Sequence, residues 1–204
     1  MTQAGRSADE RIWYFAYGSN LDPRTFLGRR SMRPCATKVA WLRGYQLVFD
    51  LAIGSGERGV GNLLPLETAK VCGVAYQIAS EQADTLDRTE GVPRAYQRID
   101  VALEVGDEQT LQAFTYLSEN RRTPGRKPSP RYMGLLLHGA RHHGLSQDYV
   151  DELRGIELAI DERDSQLELF PRGRDSRGGP LLGQRPSQAY GVPSASTASF
   201  RSRR

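Results

Sequence analysis

Ile12-Trp13-Tyr14-Phe15-Ala16-Tyr17-Gly18-Ser19-Asn20-Leu21-Asp22-Pro23 is the stretch on which the fold turns. The apolar run from Ile12 to Tyr17 reads as a β-strand ending at Gly18. Asp22 followed by Pro23 is a helix start: an acceptor side chain, then a proline whose φ is already helical and whose missing N–H is not needed in the first turn. Two readings of the intervening turn stay open. It is an ordinary strand-to-helix connection, or its N–H groups, with the Ser19 and Asn20 side chains, cradle a polar ligand.

Working outward, Lys38 to Leu42 and Tyr45 to Leu51 read as strands separated at Gly44, with Tyr45, Leu47, Phe49 and Leu51 on one face. Gly54 to Gly61 reads as a glycine-rich turn, followed by a short strand at Asn62 to Leu66. Val71 to Ile78 is apolar enough to be a buried strand. Ser80 is expected to cap a helix that stops at Gly91 and Pro93. Tyr96 to Val105 and Thr110 to Leu117 predict a hairpin across Gly106 and Asp107, with Ile99, Val101, Leu103 and Val105 sharing a face.

Two more helices follow a long loop, Ser118 to Pro128. Ser129 caps the first, Pro130 opens it, and Tyr132, Leu135, Leu136 and Gly139 form its stripe. Ser146 starts the second, where Tyr149, Val150, Leu153 and Ile156 repeat at helical spacing. Central strands with flanking helices predict an α+β fold built on a small, strongly curved or closed β-barrel.

The 204 residues allow one ordinary domain with extensions. Residues 1–10 read as a polar arm, 11–157 as the globular domain and 158–169 as a charged extension of the last helix. Residues 170–204, rich in Gly, Pro, Ser and Arg, are expected to be disordered. That tail holds seven arginines against the single acid Asp175, a local charge of +6 within a chain of +4, so residues 1–169 carry −2. The body therefore has no basic excess for nucleic acid, and only the Arg-rich tail leaves room for such a partner. No run of about 18 apolar residues is present, so no membrane span is expected. Cys35 and Cys72 read as reduced thiols, and the chain as cytoplasmic.

The sequence Leu86-Asp87-Arg88-Thr89-Glu90-Gly91-Val92 ends a helix on an acid. The helix dipole disfavours an anion there, so Glu90 is either exposed and incidental or placed for another task. Asp87 reads as a helix-surface charge. His138 and His142 are four apart, with His143 adjacent, but no HExxH pattern or third ligand accompanies them, so they read as solvated helix histidines. Arg121, Arg122, Arg126 and Lys127 make a basic loop, either simply solvated or able to hold a carboxylate.

YFAYGSNL at 14–21, LDRTEGV at 86–92, Tyr96, PSPRY at 128–132 and GARHHGLSQDYVDEL at 139–153 together resemble gamma-glutamylcyclotransferases across about residues 11–157. The resemblance implies a small barrel among helices with the active site in a cavity beside it. It also implies substrate binding by Tyr14, Phe15, Ala16, Tyr17, Gly18, Ser19 and Asn20, with Tyr96 and Tyr132 alongside, and Glu90 as general base. The implied partner is a small γ-glutamyl compound, converted to 5-oxoproline by attack of its own α-amine. No cofactor and no metal is implied, and a homodimer is the weaker implication. A glutamate near pKa ~4.3 is a poor base for an amine near ~8, a gap of roughly 5 kcal/mol. Glu90 is therefore expected in a partly desolvated pocket beside Tyr96 and Tyr116, which narrows that gap from both sides.

Overall fold

The strand read at Ile12 to Tyr17 is β1, Arg11–Ala16, in a computed structural model that describes residues 10–54, 56–106 and 109–160. The arm at 1–9 and the segment from 161 onward, including the tail, lie outside the described residues. A short 3-10 turn, Ser19–Leu21, and a π-helical segment, Arg24–Arg29, follow β1. Next come β2 (Ala36–Ala52), β3 (Arg58–Ala79), α1 (Ser80–Glu90), β4 (Gln97–Val105) and β5 (Gln109–Leu117). The described chain ends with β6 (Lys127–Pro128), α2 (Pro130–His142) and α3 (Gln147–Arg154).

β1 pairs antiparallel with β3 and parallel with β5, closing the order β1-β5-β4-β2-β3 into a five-strand mixed barrel. The segments read as separate strands on either side of Gly44 form one strand, with a register shift between Arg43 and Tyr45. Likewise the strands read at Asn62–Leu66 and Val71–Ile78 are parts of the single long β3. A bulge lets a long strand bend around a narrow barrel while keeping its partner. That is why a turn-like glycine did not end the pairing.

Alternation on β1 explains why its run is apolar throughout. Phe15 joins Ala40, Leu42, Leu63, Val71, Ala75, Val101, Leu103, Ala113 and Leu117 in a cluster drawn from all five ring strands. Tyr14 and Ala16 face the other way, into a second cluster with Phe26, Tyr76, Leu86, Leu136, Tyr149 and Leu153. Both faces are thus covered, one by the opposite barrel wall and the other by helices. Val101, Leu103 and Val105 share the buried face expected of β4.

The ends of α1, α2 and α3 follow their signals with one exception, whereas the start read at Asp22-Pro23 falls one residue later, at Arg24, with Pro23 in the capping position. Ser129 and Ser146 accept from the backbone N–H of Tyr132 and Tyr149, as N-caps do. Gly91 ends α1 in the left-handed conformation (φ 72°) that glycine tolerates best. Ser80, however, is the first residue of α1 rather than its cap, and its buried hydroxyl has no partner. Residues 158–160, the described start of the expected helical extension, are not helical. Ala159 N–H instead donates to the carbonyl of Pro128 at 2.9 Å. No helix of the described residues is long and apolar enough to cross a membrane. Cys35 is exposed and Cys72 buried, both as free thiols.

His143 is not a solvated helix histidine. It is half-buried, and its Nε2 lies 2.8 Å from the Tyr76 hydroxyl. Burial, then the neighbouring His142, hold its pKa below the ordinary 6.5. A histidine that resists protonation in the fold contributes stability that is present above its unfolded value near 6.5 and lost as pH falls toward its folded value. The melting temperature should therefore decline on acidification from pH 7.5 through 6, before the carboxylates titrate. In His143→Gln that decline should be visibly shallower. Superimposable pH profiles of the two proteins would show that His143 is not the titrating group.

Candidate active site

The end of β1, the turn after it, the C-terminus of α1 and the start of α2 converge on one slot. It is lined by Tyr14, Tyr17, Gly18, Ser19, Asn20, Gly61, Glu90, Tyr96, Tyr116 and Tyr132, with a free volume of ≈ 30 Å³. The sequence-derived candidates Tyr14, Tyr17, Gly18, Ser19, Asn20, Glu90, Tyr96 and Tyr132 therefore meet in space. Phe15 and Ala16 do not line it. Their place between lining residues is a consequence of strand alternation, and both are fully buried in the two cores.

Gly18 has a role other than the one the turn implied. Its φ of −110° is not left-handed, so a positive-φ turn is not the reason for it. A Cβ there would lie 2.9 Å from the Tyr132 hydroxyl, so the missing side chain is what admits Tyr132 to the slot. That hydroxyl oxygen accepts from the Gly61 N–H at 3.0 Å and is also hydrogen-bonded by Ser19. Its own proton is left to donate into the slot.

Among the described residues Glu90 is the only carboxylate lining the slot, with its side chain 13 % exposed. Its Oε1 accepts from Asn20 Nδ2 at 3.1 Å and pairs with the Arg30 guanidinium at 2.9 Å. Asn20 Nδ2 also donates to the Tyr14 hydroxyl at 2.9 Å, and Arg30 Nη1 donates to the carbonyl of Thr89 at 3.1 Å. Glu90 is thus held from two sides at a helix end that the dipole alone would not choose. Around it the phenols are firmly neutral. Burial pushes Tyr14, Tyr17, Tyr96 and Tyr116 well up and Tyr132 to about 12.

Arg30 was not legible in the sequence, since it lies outside every motif and reaches Glu90 only because the π-helical segment returns it to the turn. Asp87 corrects the expectation of a free surface charge. Its carboxylate accepts from the Tyr116 hydroxyl at 2.5 Å and pairs with Arg98 at 3.5 Å, with 25 % of the side chain exposed. It braces one wall of the slot one helical turn before Glu90. A spacing of three residues on a helix was the available signal.

The other constellations go elsewhere. His138 Nδ1 lies 3.2 Å from Asp22, a fully buried carboxylate also held by Arg24 at 2.6 Å. Burial pushes Asp22 up, but the hydrogen bonds and charge of Arg24 outweigh it and hold the group below the ordinary carboxylate value. In the basic loop, Lys127 pairs with Glu57 and Glu157 and Arg122 with Asp50.

A closed barrel carrying one clamped carboxylate in a tyrosine-lined slot has the parts of an acid–base site for a small polar molecule. Residues 70–153 match the AIG2-like family. The chain is 31 % identical to gamma-glutamylcyclotransferase of Mus musculus over 154 residues, which is 72 % of this chain and 80 % of that protein. It is 30 % identical over 172 residues to a gamma-glutamyl cyclotransferase of Aspergillus oryzae, where the match spans 72 % of this chain and 61 % of the relative. A solved structure named gamma-glutamyl cyclotransferase shares the fold, with a TM-score of 0.64 at 24 % identity over 78 % of this chain and 99 % of that one. The chain belongs to the gamma-glutamylcyclotransferase family.

Proposed function

We propose that this protein is a cofactor-independent cyclotransferase that converts the γ-glutamyl group of a γ-glutamyl amino acid or peptide to 5-oxoproline. The observation that carries the reading is the single carboxylate of the slot, surrounded by phenols too weakly acidic to serve as bases at neutral pH. Glu90 accepts a proton from the substrate's α-ammonium, and the freed amine attacks the γ-carbonyl to close a five-membered lactam. The oxyanion of the tetrahedral intermediate receives a hydrogen bond from the Tyr132 hydroxyl, whose oxygen accepts from the Gly61 N–H and whose proton is left to donate. Glu90 then returns the proton to the departing nitrogen as the carbon–nitrogen bond breaks, and the second proton of the attacking nitrogen passes by the same carboxylate to the released amine, which leaves as an ammonium. Because nucleophile and electrophile belong to one molecule, holding the γ-glutamyl chain folded supplies much of the acceleration. With a free volume of ≈ 30 Å³, the slot accepts that chain only if lining side chains rotate outward. The two free thiols support a cytoplasmic setting for the reaction.

The test is mass-spectrometric detection of 5-oxoproline from a panel of γ-glutamyl dipeptides, glutathione and γ-glutamylamines. Turnover of at least one of them, unchanged after exhaustive EDTA treatment, is the expected result. No 5-oxoproline from any member of the panel would overturn the reading. Loss of turnover in EDTA with recovery on added zinc would overturn its cofactor independence.

A further inference from the structure

A larger cavity of ≈ 530 Å³ lies beside the slot, lined by Leu51, Ala52, Val60, Ala95, Tyr96, Asn120, Arg121, Arg122 and Thr123. Tyr96 is common to both spaces, and its hydroxyl donates to the carbonyl of Gly61, another slot residue, at 2.9 Å. The two spaces therefore adjoin at Tyr96. Its volume is that of an ordinary ligand pocket, well beyond what the γ-glutamyl end requires.

The cavity is built on a braced loop. Thr123 N–H donates to the carbonyl of Asp50 at 2.6 Å, and Arg122 pairs with Leu51 in an isolated antiparallel bridge. Asn62, fully buried, donates to both Asp50 Oδ1 (2.9 Å) and the carbonyl of Ser118 (2.8 Å), tying the loop's first residue to β2. Charge inside the cavity is one-sided: among the described residues no acidic side chain lines it. Asp50 answers the charge of Arg122, whereas among the described residues Arg121 has no carboxylate partner.

Resting on the cyclotransferase reading above, we infer that this cavity receives the leaving half of the substrate and that Arg121 binds a carboxylate on it. Tyr96 and the apolar wall of Leu51, Ala52 and Val60 pack the leaving side chain, while Asn120 and Thr123 flank the carboxylate. Arg122, already committed to Asp50, holds the loop and leaves Arg121 as the specificity-determining cation.

The discriminating substrates are γ-glutamyl-L-alanine and γ-glutamylethylamide, which differ only by that carboxylate. The wild-type enzyme should favour the alanine compound by about 10-fold in kcat/KM, chiefly through KM, as expected of a charge-assisted contact at a partly exposed site. The preference should shrink as ionic strength rises. In Arg121→Ala the ratio should fall to near one, and Arg121→Lys should restore part of it. Arg121 is exposed, and a melting curve confirms that each variant is folded. Equal turnover of both compounds by the wild type, or a preference unaltered in Arg121→Ala, would overturn the inference while leaving the cyclotransferase reading intact. Failure to turn over either compound, or any other in the panel, would remove that reading and this one with it.

Discussion

Glu90→Gln keeps its fold and loses at least about 10²-fold in kcat, the lower range for a positioned general base. The amide is nearly isosteric with the carboxylate, and its oxygen still accepts from Asn20 Nδ2 and the Arg30 guanidinium. What it cannot do is take the ammonium proton at neutral pH or return one to the leaving nitrogen. No neighbour compensates, because the remaining titratable groups lining the slot are phenols whose acidity burial has suppressed. The loss should therefore appear in kcat, with KM changed little. Circular dichroism and a melting curve establish that the variant is folded. If folded Glu90→Gln turns over near the wild-type rate, the base lies elsewhere.

Asp87→Asn is the informative companion. An uninvolved surface charge would make it silent, but Asp87 holds the Tyr116 hydroxyl and pairs with Arg98. The asparagine oxygen still accepts from Tyr116, while the charge that answers Arg98 is gone. A several-fold effect is expected, far smaller than that of Glu90→Gln, because Asp87 acts on the slot only through Tyr116.

How much of this was legible in the sequence depends on the range of the forces involved. Caps at Ser129 and Ser146, the stop at Gly91 and the alternation of Val101, Leu103 and Val105 are set by neighbours within a few residues, and they read correctly. The continuity of β2 and β3 did not, since a glycine next to a bulge looks like a turn until the partner strand is known. The slot tyrosines came through the motif resemblance, which carried Phe15 and Ala16 along with them. Only the direction of side chains along β1 separates Tyr14 and Tyr17 from those two core residues. Arg30 was invisible because an ion pair between positions 30 and 90 leaves no local trace.

The same alanine substitution at two glycines of α2 should move stability in opposite directions. At Gly139 a Cβ would lie 2.4 Å from the carbonyl carbon of Leu21, 2.5 Å from its oxygen and 2.7 Å from the nitrogen of Asp22. All three are backbone atoms, so no side chain can turn aside, and either α2 or the turn Ser19–Leu21 must shift. Overpacking of this kind costs about 1–3 kcal/mol, occasionally more. At roughly 2–4 °C per kcal/mol for a chain of this size, the melting temperature should fall by about 2–12 °C. The shift also reaches the slot, because α2 carries Tyr132 and the turn carries Ser19 and Asn20. KM should therefore rise in whatever protein remains folded. At Gly134, five residues earlier on the same helix, a Cβ meets nothing within 4 Å and the position is exposed. There alanine only removes the backbone freedom that glycine brings to a helix interior, a gain of roughly 0.5–1 kcal/mol. Gly134→Ala should melt about 2 °C higher than the wild type with unchanged KM. Were both substitutions to move the melting temperature the same way, the close approach of α2 to the Leu21 backbone would not be what fixes the turn Ser19–Leu21.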